Sequence, residues 1–165
     1  MGGWNTSSLE VVVQVDRDLQ LLLEVAVVEQ VLADLLGEPP SVWEGRFAPP
    51  AATIRHVGGC RLVVTGTFHT AVFALSQGIP AVGIARSPMY VDKFAALADQ
   101  FGRGCRAIAL TDANAMSELE AAVDDAWRQA PAWRPELLAA AERQIALGRA
   151  AYQRLYELVE SRRRR

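Results

Sequence analysis

Short, continuous apolar runs alternate along the middle of the chain with stretches whose apolar residues recur at three- and four-residue steps. The runs at residues 61–65, 80–85 and 105–110 are of strand length and lack polar alternation, which predicts parallel strands covered on both faces. Residues 68–77, 90–101 and 113–129 carry the helical period. The β-α-β-α-β-α order predicts a Rossmann-like α/β domain: a mostly parallel sheet with helices on both faces and right-handed crossovers.

Upstream, the β-branched run at residues 9–15 predicts a further strand, and Asp16 follows it at a natural helix N-cap position. Residues 17–36 read as a helix that is apolar on most faces and so needs cover on more than one side, with Gly37 as its stop. Pro39, Pro40, Pro49 and Pro50 make residues 38–50 a connection, followed by a short helix over 51–57 that Gly58-Gly59 ends. Beyond Pro131 a long helix is expected over 134–161. Its apolar residues Leu138, Ala141, Ile145, Tyr152, Leu155 and Val159 form a stripe, with Gly148 in the gap. Such a stripe packs on its own domain or forms a seam with a partner. The expected organisation is a disordered segment 1–8, a Rossmann-like domain 9–130, and a C-terminal helix with a basic tail over 131–165.

Composition narrows the function classes. At 165 residues and 51% hydrophobic, the chain can bury one core without a disulfide or metal staple. Cys60 and Cys105 are therefore expected as free thiols of a cytoplasmic protein. A net charge of −2 disfavours nucleic acid as a partner, and the run Arg162-Arg163-Arg164-Arg165 reads as a solvated helix end. The apolar stretch at 19–36 is interrupted by Glu24, Glu29 and Asp34, so no membrane span is expected. The short myristoylation-like and sequon-like patterns within the first seven residues read as chance.

In an open parallel sheet, ligands bind beyond the carboxyl ends of the strands, which directs attention to three loops. The first, Thr65-Gly66-Thr67-Phe68-His69, opens a helix at a strand end, where unpaired amides and the helix dipole favour an anion. Gly66 allows close backbone approach, and His69 in the first turn can donate a hydrogen bond or a proton near neutral pH. The alternative for His69 is a polar group bonded to a neighbouring loop. The second loop, Ala85-Arg86-Ser87-Pro88-Met89-Tyr90, with Lys93 one turn further on, brings Arg86, Ser87, Tyr90 and the chain's one lysine to the same rim. Its alternative is an ordinary polar loop, with Lys93 paired to Asp92 or Asp99. In the third loop Asp112 is expected to cap the helix starting at Ala113, and His56 is expected to be a surface or structural residue. No dinucleotide, Walker, nucleophile-elbow or zinc pattern is present in the sequence.

The run Arg61-Leu62-Val63-Val64-Thr65-Gly66-Thr67-Phe68-His69, followed by Gly78-Ile79-Pro80 and Ser87-Pro88-Met89-Tyr90-Val91-Asp92-Lys93-Phe94, resembles the C-terminal part of the polysaccharide pyruvyl transferase family. The similarity covers about residues 54–110. It implies one half of a GT-B-like fold, and transfer of a pyruvyl group from phosphoenolpyruvate to two saccharide hydroxyls as a ketal, with no further cofactor and no metal. It also implies that His69 serves donor binding or proton transfer, and that Gly66, Thr67, Phe68, Arg86, Ser87, Tyr90 and Lys93 form the donor-side anion site. Two departures stand out: Thr67 occupies a position where many members have arginine, and the chain has about half the length of a two-domain enzyme. A separate N-terminal half, or a homo-oligomer, is then the expected partner beside the phosphoenolpyruvate and saccharide ligands. Two other readings stay open: a non-catalytic, oligomerising scaffold in polysaccharide synthesis, and a nucleotide-sugar-binding half of glycosyltransferase or epimerase type.

Overall fold

The computed structural model describes residues 30–34, 37 and 49–164. The expected strand at 9–15, the disordered segment 1–8 and most of the helix at 17–36 lie outside these residues, although residues 30–34 are helical and Leu32 is fully buried. The described elements are α1 (Pro50–Val57), β1 (Val63–Thr65), α2 (Phe68–Ser76), β2 (Ala81–Ala85), α3 (Pro88–Phe101), a 3-10 turn (Gly102–Gly104), β3 (Cys105–Ala109) and α4 (Ala115–Arg163).

The three strands form one parallel sheet in the order β1-β2-β3. Val63 pairs with Ala81 and Thr65 with Gly83, while β2 pairs with β3 from Ala81–Cys105 to Ala85–Ala109. Every residue of β1 and β2 is buried, as expected of largely apolar strands covered on both faces; β3 leaves Arg106 exposed and Ala107 half-buried. The fold is α/β: a small parallel sheet, helices around it and a long C-terminal helix. The strand order runs in one direction, so the reversal that a doubly wound sheet requires is not found among the described residues. No helix among them is long and apolar enough to cross a membrane.

Two expectations about helix ends are corrected. The helix at 90–101 starts earlier, at Pro88, because proline at the first helical position costs no hydrogen bond and Ser87 caps the turn by accepting from the Tyr90 N–H at 3.4 Å. Asp112 is not the cap of the last helix. The chain makes a turn there, with the Asp112 N–H donating to the Ala109 carbonyl and the Ala115 N–H to the Asp112 carbonyl, and α4 begins after Asn114.

A third correction concerns Pro131. Instead of two helices separated near it, one helix of 49 residues runs through both Pro131 and Pro135. An interior proline leaves the carbonyl four residues earlier without its helical donor. Here that carbonyl belongs to Trp127, and the Arg61 Nε donates to it at 2.9 Å while the guanidinium lies 4.4 Å from the centre of the Trp127 ring. Both prolines are exposed, on the side where helix carbonyls already tilt toward water. The opposite side buries Ala126, Ala130, Trp133 and Leu137, so packing against the domain continues on both sides of Pro131.

Candidate functional site

The carboxyl ends of β1 and β2 open onto one rim. At the end of β1 the Thr65 hydroxyl accepts a 2.9 Å hydrogen bond from the Thr67 N–H, which folds the chain back into the first turn of α2. Thr67 precedes that helix with an extended backbone and contributes no side-chain cap, while its carbonyl accepts from the Thr70 and Ala71 amides. The amides of Phe68 and His69, at the first two helical positions, have no acceptor within the helix by construction. They are the donors that α2 offers to an anion, and the Thr67 amide is already engaged. Gly66 and Thr67 are half-buried and His69 is exposed, its ring set edge-on to Phe68 with centroids 5.7 Å apart.

Across the rim, β2 continues two residues past the end of β1, since Thr65 pairs with Gly83 and β2 ends at Ala85. Arg86 and Ser87 follow, both exposed. The Ser87 hydroxyl is the α3 cap, so its oxygen serves the helix first. Tyr90 and Lys93 lie one turn apart on α3, with the Lys93 Nζ 4.7 Å from the Tyr90 ring centre and 6.0 Å from that of Phe68. Among the described residues no ion pair joins Lys93 to Asp92 or Asp99. The expected alternative of a lysine tied to a neighbouring acid is not what α3 forms.

The structure therefore brings His69, Phe68, Tyr90 and Lys93 into one cluster, while Gly66 and Thr67 line its β1 side and Arg86 and Ser87 begin its β2 side. What ties the cluster together was not singled out in the sequence. Phe94, fully buried, lies with its ring 6.4 Å from Phe68 and directly on β2, where a methyl group on Gly83 would overlap it. A glycine inside an apolar strand is the sequence feature that marks such close approach. His56 is half-buried on α1.

Thiol chemistry is unsuited to this fold. Cys60 and Cys105 are buried and joined in no disulfide, and burial pushes the Cys105 thiol up to about 12, so it stays protonated across the ordinary pH range. Among the described residues no group of three or more His, Cys, Asp or Glu side chains is arranged to hold a metal ion.

Comparison with known proteins bears on what that rim belongs to. No curated protein matches the chain. Among solved structures, the glycotransferase of kitacinnamycin is similar at 16% identity and a TM-score of 0.47, over 91% of this chain and 47% of that one. The chain spans about half the length of that protein. The family model described as polysaccharide pyruvyl transferase matches residues 6–88. That match reaches further toward the N terminus than the resemblance at 54–110, and it ends at Pro88, so it takes in the residues of the first loop together with Arg86 and Ser87 but stops short of Tyr90 and Lys93. With half of its residues matched, the chain belongs to the polysaccharide pyruvyl transferase family.

Proposed function

We propose that the rim binds phosphoenolpyruvate and serves the donor side of pyruvyl transfer to saccharide hydroxyls. The supporting observation is that a family-matched segment ends β1 in an open helix start, and that the exposed His69 beside it shares the Phe68 ring with Lys93. Phosphoenolpyruvate carries two anionic groups, a phosphate and a carboxylate. The amides of Phe68 and His69 at the α2 dipole suit one of them, and Lys93 with Arg86 suits the other.

In this reading His69 in its protonated form delivers a proton to the methylene carbon of the enol. The adjacent carbon becomes electrophilic, one saccharide hydroxyl adds there as its proton passes back to the imidazole, and the second displaces phosphate to close the ketal, its proton leaving with the phosphate. General acid catalysis of this kind contributes about 10²–10⁴-fold. Donors fixed at the departing phosphate add electrostatic stabilisation where negative charge develops. The acceptor side belongs to the same proposal: a separate N-terminal half or a second copy of the chain would complete it, and the exposed C-terminal part of α4 supports the need for such cover.

Calorimetric titration with phosphoenolpyruvate, run beside uridine diphosphate, tests the donor. Saturable binding of phosphoenolpyruvate alone is the expected result. Binding of the nucleotide with no response to phosphoenolpyruvate assigns the rim to a nucleotide-sugar instead.

A further inference from the structure

Lys93 is the single lysine of the chain, and its ammonium lies near two aromatic rings. Lysine ordinarily keeps its long side chain mobile and loses that freedom when an anion is bound, which lowers affinity. Here Tyr90, three residues earlier on the same face of α3, places its ring 4.7 Å from the ammonium. Phe68, from the first turn of α2, faces it from the neighbouring helix at 6.0 Å. Phe68 is itself backed by the buried Phe94, whose ring is seated on Gly83 of the central strand. The support thus runs from the sheet through two phenyl rings to the charge.

We propose that Tyr90 and Phe68 are positioning residues, whose ring faces hold the Lys93 ammonium at the rim for an anionic oxygen of the donor. This rests on the phosphoenolpyruvate reading of the site. The choice of rings over a carboxylate has a chemical consequence. An aspartate or glutamate partner would compete with an incoming phosphate or carboxylate for the same charge. A π face orients the ammonium by its quadrupole and leaves the positive charge uncompensated for the ligand. The Phe68 ring also meets the His69 ring at a steep angle, centroids 5.7 Å apart, so one side chain lies between the proposed acid and the proposed cation.

A sole lysine makes the test specific, because lysine labelled with ¹³C yields one ε-methylene resonance. In the free protein that resonance is expected upfield of an unstructured lysine through the ring currents of Tyr90 and Phe68, to relax in Tyr90→Leu and to persist in Tyr90→Phe. Phosphoenolpyruvate is expected to shift it saturably. Tyr90→Leu should weaken binding about two- to fivefold, as loss of a partly exposed cation–π contact does, and Tyr90→Phe should bind like the wild type. In a Lys93→Met background Tyr90→Leu should cost nothing more, since the ring acts through the ammonium.

A resonance at the unstructured position, phosphoenolpyruvate binding that leaves the resonance unmoved, or an equal cost of Tyr90→Leu with and without Lys93 each overturns the proposal while leaving the donor reading intact. If phosphoenolpyruvate does not bind, the donor reading fails, and inorganic phosphate decides the inference. A saturable phosphate shift that weakens in Tyr90→Leu retains the clamp as an anion holder, and no shift removes it.

Discussion

The two halves of α4 carry similar apolar residues at similar spacing and meet different fates. From Ala115 to Ala141 the stripe Leu119, Val123, Ala126, Ala130, Trp133 and Leu137 is buried against the sheet and the helices beside it. Beyond it, Ile145, Tyr152, Leu155 and Val159 continue the helical period but stand in solvent, with Tyr152 at 77% exposure. Local sequence makes both halves helical; only the first has a surface to lie on. Helix formation and helix burial are thus separate questions, and an apolar stripe answers only the first.

The largest expected effect breaks or upholds this contrast with one kind of substitution made twice. Leu137→Ala removes a side chain that is 1% exposed, and a buried Leu→Ala change costs about 2–5 kcal/mol in urea unfolding. In the chain without a partner Leu155→Ala, at 57% exposure, should stay within about 0.5 kcal/mol, as surface changes do. A cost of several kcal/mol at Leu155 would mean that the far half is covered in solution.

A smaller effect sharpens where the anchored half is fastened. Arg61→Met removes the donor to the Trp127 carbonyl, and a hydrogen bond from a charged group is worth about 1.5–3 kcal/mol. In a Pro131→Ala background residue 131 regains its own N–H for that carbonyl, so the same Arg61 change should cost markedly less. Equal costs in both backgrounds would separate the arginine from the proline. Of similar size is a dependence on alkaline pH. The Cys105 thiol is raised to about 12 in the folded chain against 9.0 as its ordinary value, because burial disfavours the thiolate. Its stabilising contribution is therefore complete below about pH 9 and is lost as pH rises toward 12, since the unfolded chain releases the proton first. Unfolding curves between pH 8 and 11 should show this loss, and Cys105→Ala should flatten it.

The parts of the fold legible in the sequence are those governed by local pattern. All three strands fall where continuous apolar runs place them, and α2 and α3 lie within two residues of the expected helices. The rim was legible for the same reason, because strand ends and helix starts follow from the element order. What escaped was long-range. Pro131 reads locally as a helix end, and the Trp127 carbonyl that it leaves without a helical donor accepts instead from Arg61, 66 residues away in sequence. Asp112 is a good cap by type, but the turn it sits in delays the helix to Ala115. The seat of Phe94 on Gly83 depends on a pairing of strand and helix that neither residue announces. The rim residues were thus named individually, while the aromatic bridge that gathers four of them came only with the packing.

The central claim is that the start of α2 is a donor site, and it is tested most directly by measuring phosphoenolpyruvate affinity calorimetrically for the wild type and for His69→Ala, with folding of both checked by circular dichroism. Saturable binding that weakens by about tenfold, the loss expected for a hydrogen bond to a charged group, is the result the account requires. A folded wild type that gives no binding heat, or a His69→Ala variant with unchanged affinity, would contradict it.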